Sequence, residues 1–170
     1  MARRISLRAF QEHLAERLSS AARGPVGSGL LGVQAGGEHW LLDLPDSGEI
    51  VSLPPLATVP LTFPWFAGLA NVRGNLYAVT DFSAFASGEP TPVTGAARLL
   101  LVGVRHGSNA ALLVSRILGL RNAGQFTPLP LPDTAAPWET GRFADAEGRN
   151  WRRLDVRRLL ADPAFMEIGI

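Results

Sequence analysis

Arg73 and Gly74 sit between two short β-type runs, LANV and LYAVTDF, inside the stretch GLANVRGNLYAVTDF, residues 68–82. Asn71 precedes the arginine by two residues, and Asp81 lies near the end of the second run. An arginine offers a planar fork of N–H donors, which suits directed bonds to carboxylates and is enriched at protein interfaces. A hairpin tip of this kind can serve a catalytic site, a nucleic-acid contact or a protein-docking edge. Arg73 can equally be a solvated turn residue, and Asp81 can cap the FSAF segment that follows it. The rest of the chain weighs these alternatives.

Other chemistry is thinly supplied. The three histidines, His13, His39 and His106, lie far apart, and no pair has helical ligand spacing or a carboxylate cluster beside it. Ser47, His39 and Asp43 have the types of a hydrolytic triad, but no G-x-S-x-G elbow or strand-turn-helix context holds the serine. Cysteine is absent, which excludes disulfides, thiolate nucleophiles and cysteine-based zinc sites. All 16 basic residues are arginine, so the chain has no Schiff-base lysine and no phosphate-loop lysine. GLANVRGN has two glycines yet lacks that lysine and the strand-to-helix setting of a nucleotide loop.

Arg142, Arg149, Arg152, Arg153, Arg157 and Arg158 form the densest basic group, with Phe143 and Trp151 as possible stacking platforms for a single strand. Asp145, Glu147, Asp155 and Asp162 are interleaved with them, and Arg152 and Arg153 must point to opposite faces of a strand. A self-compensated surface is the favoured reading, with a β-barrel nucleic-acid binder as the alternative. The net charge of +1 gives no global attraction to nucleic acid or anionic lipid. No metal or cofactor is expected, and neither is catalysis.

The elements that must carry these residues are mostly strands. Leu7, Phe10, Leu14 and Leu18 recur at helical steps and predict a helix over 6–23, stopped by Gly24-Pro25. After GPVGSG the period becomes strand-like. LLGVQ and HWLLDL flank a glycine turn, EIVSL (49–53) ends at Pro54-Pro55, and prolines mark an extended crossover over 54–64. The aromatic FPWF (63–66) is expected to plug the space between two lobes, with an exposed docking patch as the alternative. RLLLVGV (98–104) reads as a strand buried on both faces, and AALLV and RILGL follow it. A second proline-rich crossover spans 122–137. A last hairpin follows, and Asp155 then caps a short helix, VRRLLA. About ten short strands without long helices between them suit closed small barrels rather than a parallel α/β sheet. A chain of 170 residues buries roughly 70% of its unfolded surface. No run reaches the roughly 18–20 apolar residues of a membrane span, and no signal-peptide core follows the first arginines. A soluble cytoplasmic protein is expected.

VPLTFPWFAGLANVRGNLYAVTDF resembles the signature of the CheW-like coupling proteins of bacterial chemosensory arrays. The resemblance rests on Pro64, Trp65, Gly68, the Asn-x-Arg-Gly motif at Asn71, Arg73 and Gly74, and the strand-ending Asp81-Phe82. RLLLVGVRHGSNAALLVSRILGL is similar to the family's paired strands, and FADAEGRNWRRLDVRRLLAD to its closing hairpin and helix. The leading helix resembles the branch of the family that serves type IV pilus (twitching) systems.

The resemblance implies a mainly β fold of two SH3-like five-stranded barrels sharing a hydrophobic core, with an N-terminal and a short C-terminal helix. It covers 29–162, between an extension over 1–24 and a tail over 163–170. The first barrel is expected at about 29–66, completed by about 138–156, and the second at about 67–127. The implied function is a non-enzymatic adaptor between the cytoplasmic tip of a methyl-accepting chemoreceptor and the regulatory domain of a CheA-type histidine kinase. Asn71, Arg73, Gly74 and Asp81 are implied on the kinase side, and Glu49, Val51 and Leu53 on the wall of a receptor groove. No contact with nucleic acid and no membrane insertion is implied; the protein would be cytoplasmic and recruited to membrane-associated arrays. Two departures concern the groove: Ser115 stands where the family often has an aspartate, and Pro45 interrupts a usually smoother strand.

Overall fold

Short period-two runs separated by glycine and proline fold into hairpins, because a glycine turn reverses the chain while β-branched and aromatic residues hold extended backbone. A computed structural model of the chain describes residues 29–102 and 104–170; the helix expected over 6–23 lies outside the described residues. Strands β1 (Leu30–Ala35) and β2 (Glu38–Asp43) form the first hairpin, and a 3₁₀ turn at Leu44–Asp46 accommodates Pro45 in its first turn. The short β3 (Ile50–Ser52) and β4 (Leu56–Ala57) flank Pro54-Pro55. The hairpin of β5 (Phe66–Val72) and β6 (Asn75–Asp81) runs into helix α1 (Phe82–Ser87). Then come β7 (Arg98–Leu100), β8 (Ala110–Val114), β9 (Arg116–Arg121) and β10 (Thr127–Leu129). The hairpin of β11 (Glu139–Ala144) and β12 (Asn150–Leu154) leads to helices α2 (Val156–Ala161) and α3 (Pro163–Met166). No helix among the described residues is long and apolar enough to cross a membrane.

The strands build two sheets, ordered β10-β11-β12-β2-β1-β9 and β3-β7-β8-β6-β5-β4. From β9 to β10, and from β3 to β4, the pairing is the same: two antiparallel joins, one parallel join, two antiparallel joins. Each sheet has six strands rather than five, the extra members including β4 with 2 residues and β10 with 3. The expected barrel boundaries are corrected in two places. Strands β3 and β4 belong with the second sheet, bonded to β7 and β5, and β9 belongs with the first, bonded to β1.

Strand parity explains the continuous apolar runs. On β8, Ala110, Leu112 and Val114 face a core shared by the two sheets, while Ala111 and Leu113 face the interior of the second barrel. On β2, Trp40 and Leu42 join the shared core and Leu41 enters the first barrel beside Leu30 and Trp151. Both faces of these strands are dry, so no polar alternation is needed. The strand expected over 98–104 ends at Leu100, although Leu101 and Val102 stay buried. The FPWF plug is only half inside. Phe66 is buried and Trp65 packs against Phe85 and Phe165, but Phe63 and Pro64 are exposed.

Candidate functional site

The β5–β6 hairpin turns through Arg73 and Gly74, between the paired Val72 and Asn75. Both turn residues have positive φ, 53° and 86°, as a two-residue primed turn requires to match the strand twist. Asn71 Oδ1 accepts the Gly74 N–H at 2.9 Å. The arginine fork reaches Glu49 with both terminal nitrogens: Nη1 donates to Oε2 at 2.9 Å, and Nη2 lies 2.5 Å from Oε1. The side chains are 73% and 43% exposed, so the pair lies open to a partner. Leu76, one residue into β6, is 57% exposed beside it in sequence. Nothing in the residue pattern separates an outward leucine there from a core one.

The residues expected on two different surfaces therefore meet. Arg73 and Glu49, one expected on the kinase side and the other on the receptor wall, form one exposed patch. Val51 and Leu53 are half-buried against the second barrel's core. Asp81 is not available to a partner at all. It is buried, its Oδ1 accepts the Ala84 N–H at 3.2 Å and the Thr91 hydroxyl at 2.6 Å, and its Oδ2 accepts the Thr91 N–H at 2.8 Å. It caps α1 and pins the loop after that helix. Ser115 is also occupied internally: its Oγ accepts the Gly36 N–H at 2.9 Å and its N–H donates to Gln34 O at 2.8 Å, where the chain crosses from one sheet to the other.

A family model described as the CheW-like domain matches residues 29–164. The chain belongs to the CheW-like family. Protein PilI of Pseudomonas aeruginosa is 29% identical to it over 93 residues, covering 54% of this chain and 51% of the relative. The CheW-like chain thus spans about half the length of that curated relative. In fold it is similar to the crystal structure of the scaffolding protein TtCheW from Thermoanaerobacter tengcongensis. The TM-score is 0.65 at 18% identity, over 77% of this chain and 86% of that one. Its two sheets curl like the two SH3-like barrels of CheW.

Elsewhere on the CheW-like chain, charged groups answer one another. Glu139, at the start of β11, is buried and receives Arg152 through Nε at 3.0 Å and Nη2 at 2.6 Å, and Arg142 through Nε at 2.6 Å. Burial alone would raise its carboxyl, but the hydrogen bonds and charges of Arg152 and Arg142 outweigh burial and hold it below its ordinary value of 4.5. Arg152 also lies 4.2 Å from the centre of the Trp40 ring. On the opposite strand face Arg153 pairs with Asp43 at 2.5 Å; Arg149 pairs with Glu147, and Arg158 with Asp155. Trp151 is 1% exposed and gives its indole N–H to Asp145 at 3.0 Å, which holds that carboxyl low. Five of the six arginines of the basic group are thus paired with carboxylates, Arg157 being exposed without such a pair among the described residues, and of the two aromatic platforms Trp151 is inside the barrel and Phe143 is half-buried against it.

The triad types do not meet. Ser47 Oγ donates to Leu44 O at 2.7 Å, Asp43 is engaged by Arg153, and His39 packs edge-on to Trp151. Burial, helped by Arg149, lowers the His39 pKa below its ordinary 6.5 against the pull of Asp145 and Glu38. A cleft of about 530 Å³ does open where the two barrels adjoin, lined by Asp46, Arg105, His106, Arg153 and Arg157 among others. Asp46 Oδ1 sits 3.1 Å from His106 Nε2 and 3.4 Å from Arg105 Nη1. The sequence carries no signal for this cluster, because the partners lie 59 and 60 residues apart.

Proposed function

We propose that this CheW-like chain is a non-enzymatic adaptor of bacterial chemosensory signalling. It couples the cytoplasmic tip of a methyl-accepting chemoreceptor to the regulatory domain of a CheA-type histidine kinase. The likeness to PilI supports a system that controls type IV pilus twitching motility, with the protein in the cytoplasm and recruited to receptor arrays. One observation supports the docking assignment: an arginine on a strained turn, its fork paired with Glu49 in the open at the hairpin tip. A partner carboxylate that shares or replaces Glu49 meets a donor set already held at the exposed tip. Holding receptor and kinase at once raises the local concentration of each for the other, so receptor conformation can bias the kinase without chemistry in the adaptor.

Substituting Arg73→Glu tests this. The circular dichroism spectrum and thermal midpoint should stay close to wild type, because the tip is exposed. Affinity for the purified kinase regulatory domain should fall by roughly tenfold or more, since an attractive charge becomes a repulsive one. Unchanged affinity with an intact fold removes the hairpin from the docking surface.

A further inference from the structure

The structure assigns to Asn71 and Gly48 a positioning role: they fix the two ends of the Arg73–Glu49 pair without touching a partner themselves. The assignment rests on the adaptor reading for its consequence, but its geometry stands alone.

At the arginine end, φ of 53° is a conformation that L residues other than Asn and Asp rarely adopt. Left to its own preference, Arg73 would return to negative φ and swing its side chain away from Glu49. The Asn71 carboxamide opposes this by accepting the Gly74 N–H across the turn, at 2.9 Å. Asn71 is itself exposed, but its oxygen is already used in that bond. Its place in the motif therefore needs no partner contact to explain it.

At the glutamate end, Gly48 has φ 56°, and a Cβ there would come 2.0 Å from the Leu101 carbonyl oxygen. Only a glycine lets the chain pass so close. The following residue is then tied down, since the Leu101 N–H donates to Glu49 O at 2.9 Å. The 24-residue separation between Glu49 and Arg73 means that neither residue can hold the other in place through the local chain. Each end is fixed by its own device, and the pair forms between two preset backbones. Preset donors lose less freedom when a partner docks.

The test uses the full chain with Asn71→Ala, Asn71→Asp and Glu49→Gln. The Asp variant keeps the oxygen acceptor and the Ala variant removes it. The readouts are the NMR signal of the Arg73 Nε–Hε group, the thermal midpoint, and affinity for the kinase regulatory domain. The expected result is that Asn71→Ala moves the Arg73 signal toward its position in Glu49→Gln, with affinity down about two- to fivefold, the range of an exposed charge pair. Asn71→Asp should restore both. A purely structural role would lower the thermal midpoint and leave the Arg73 signal of the folded protein in place. That pattern, or an Asp variant that behaves like Ala, overturns the assignment. If the wild-type chain fails to bind the kinase domain while Asn71→Ala still releases Arg73, the adaptor reading falls and the positioning role stands. Gly48→Ala is a poor probe because its Cβ meets backbone, so Asn71 carries the test.

Discussion

Arg73 holds its guanidinium on backbone that disfavours its own residue type. An L residue in the left-handed region costs about 1–2 kcal/mol, whereas asparagine tolerates it and is common at this turn position. The ion pair with Glu49 is exposed at both ends, and such pairs return at most about 1 kcal/mol. Strain should therefore outweigh the bond. Arg73→Asn is expected to raise the melting temperature by about 1–4 °C, on the scale of roughly 1 kcal/mol in a chain of this size. The same variant should lose kinase affinity, because asparagine cannot supply the fork. A lower melting temperature would mean that the pair stabilises the turn more than its backbone strains it. The tip itself is legible in the sequence, since Arg-Gly between two apolar runs can only be a tight reversal. Glu49 as its partner is not, because closing the barrel, rather than any local pattern, brings the two together.

At the scale of elements, the strand-ending aspartates show how one sequence feature can hide two roles. Asp81 ends β6 and Asp155 follows β12, each strand being one side of a parallel join, and each aspartate caps the helix after it. Asp155 Oδ1 accepts the Arg158 N–H at 3.0 Å and has no further long-range task, whereas Asp81 also holds both Thr91 donors. Losing a cap costs about 1 kcal/mol, and each buried donor left without a partner adds about 1–3 kcal/mol. Asp155→Ala should therefore lower stability by about 1 kcal/mol and Asp81→Ala by about 3–7 kcal/mol, read as midpoint shifts in urea at unchanged slope. Equal costs would show that the Thr91 bonds add nothing. Capping was readable from Asp-Phe-Ser-Ala-Phe alone. The tie to Thr91, ten positions on in a loop of prolines and glycines, was not. The family pattern makes Asp81 look like a contact residue, while its burial and bonds make it a brace between the end of β6 and the loop after α1.

At the scale of the whole molecule, the described residues form two barrels joined by a dry seam, and their strands are easier to find than to sort. Apolar runs such as RLLLV and AALLV announce strands covered on both sides, and the shared core is the reason. Loop length, however, misleads about which sheet a strand joins. Ser115 alone separates β8 from β9, yet the chain changes sheet there, while the proline pair between β3 and β4 leaves both in one sheet. The seam also explains where acid should act. Glu139 ties Arg142 and Arg152 together beneath Trp40, whose ring is in the shared core. Its pKa is lower folded than unfolded, so the unfolded chain binds more protons in the window where they differ. The stability it contributes is complete above its ordinary value of 4.5 and is lost as pH falls through the lower folded value. Glu139→Gln leaves the arginines without their carboxylate and should be markedly less stable than wild type at neutral pH. Below about pH 4.5 the wild type should lose stability faster than the variant, so the gap between their urea midpoints should narrow. A gap that stays constant from pH 7 to pH 3 would mean that Glu139 is not held ionised by its arginines, and the seam would then owe its acid response to other groups.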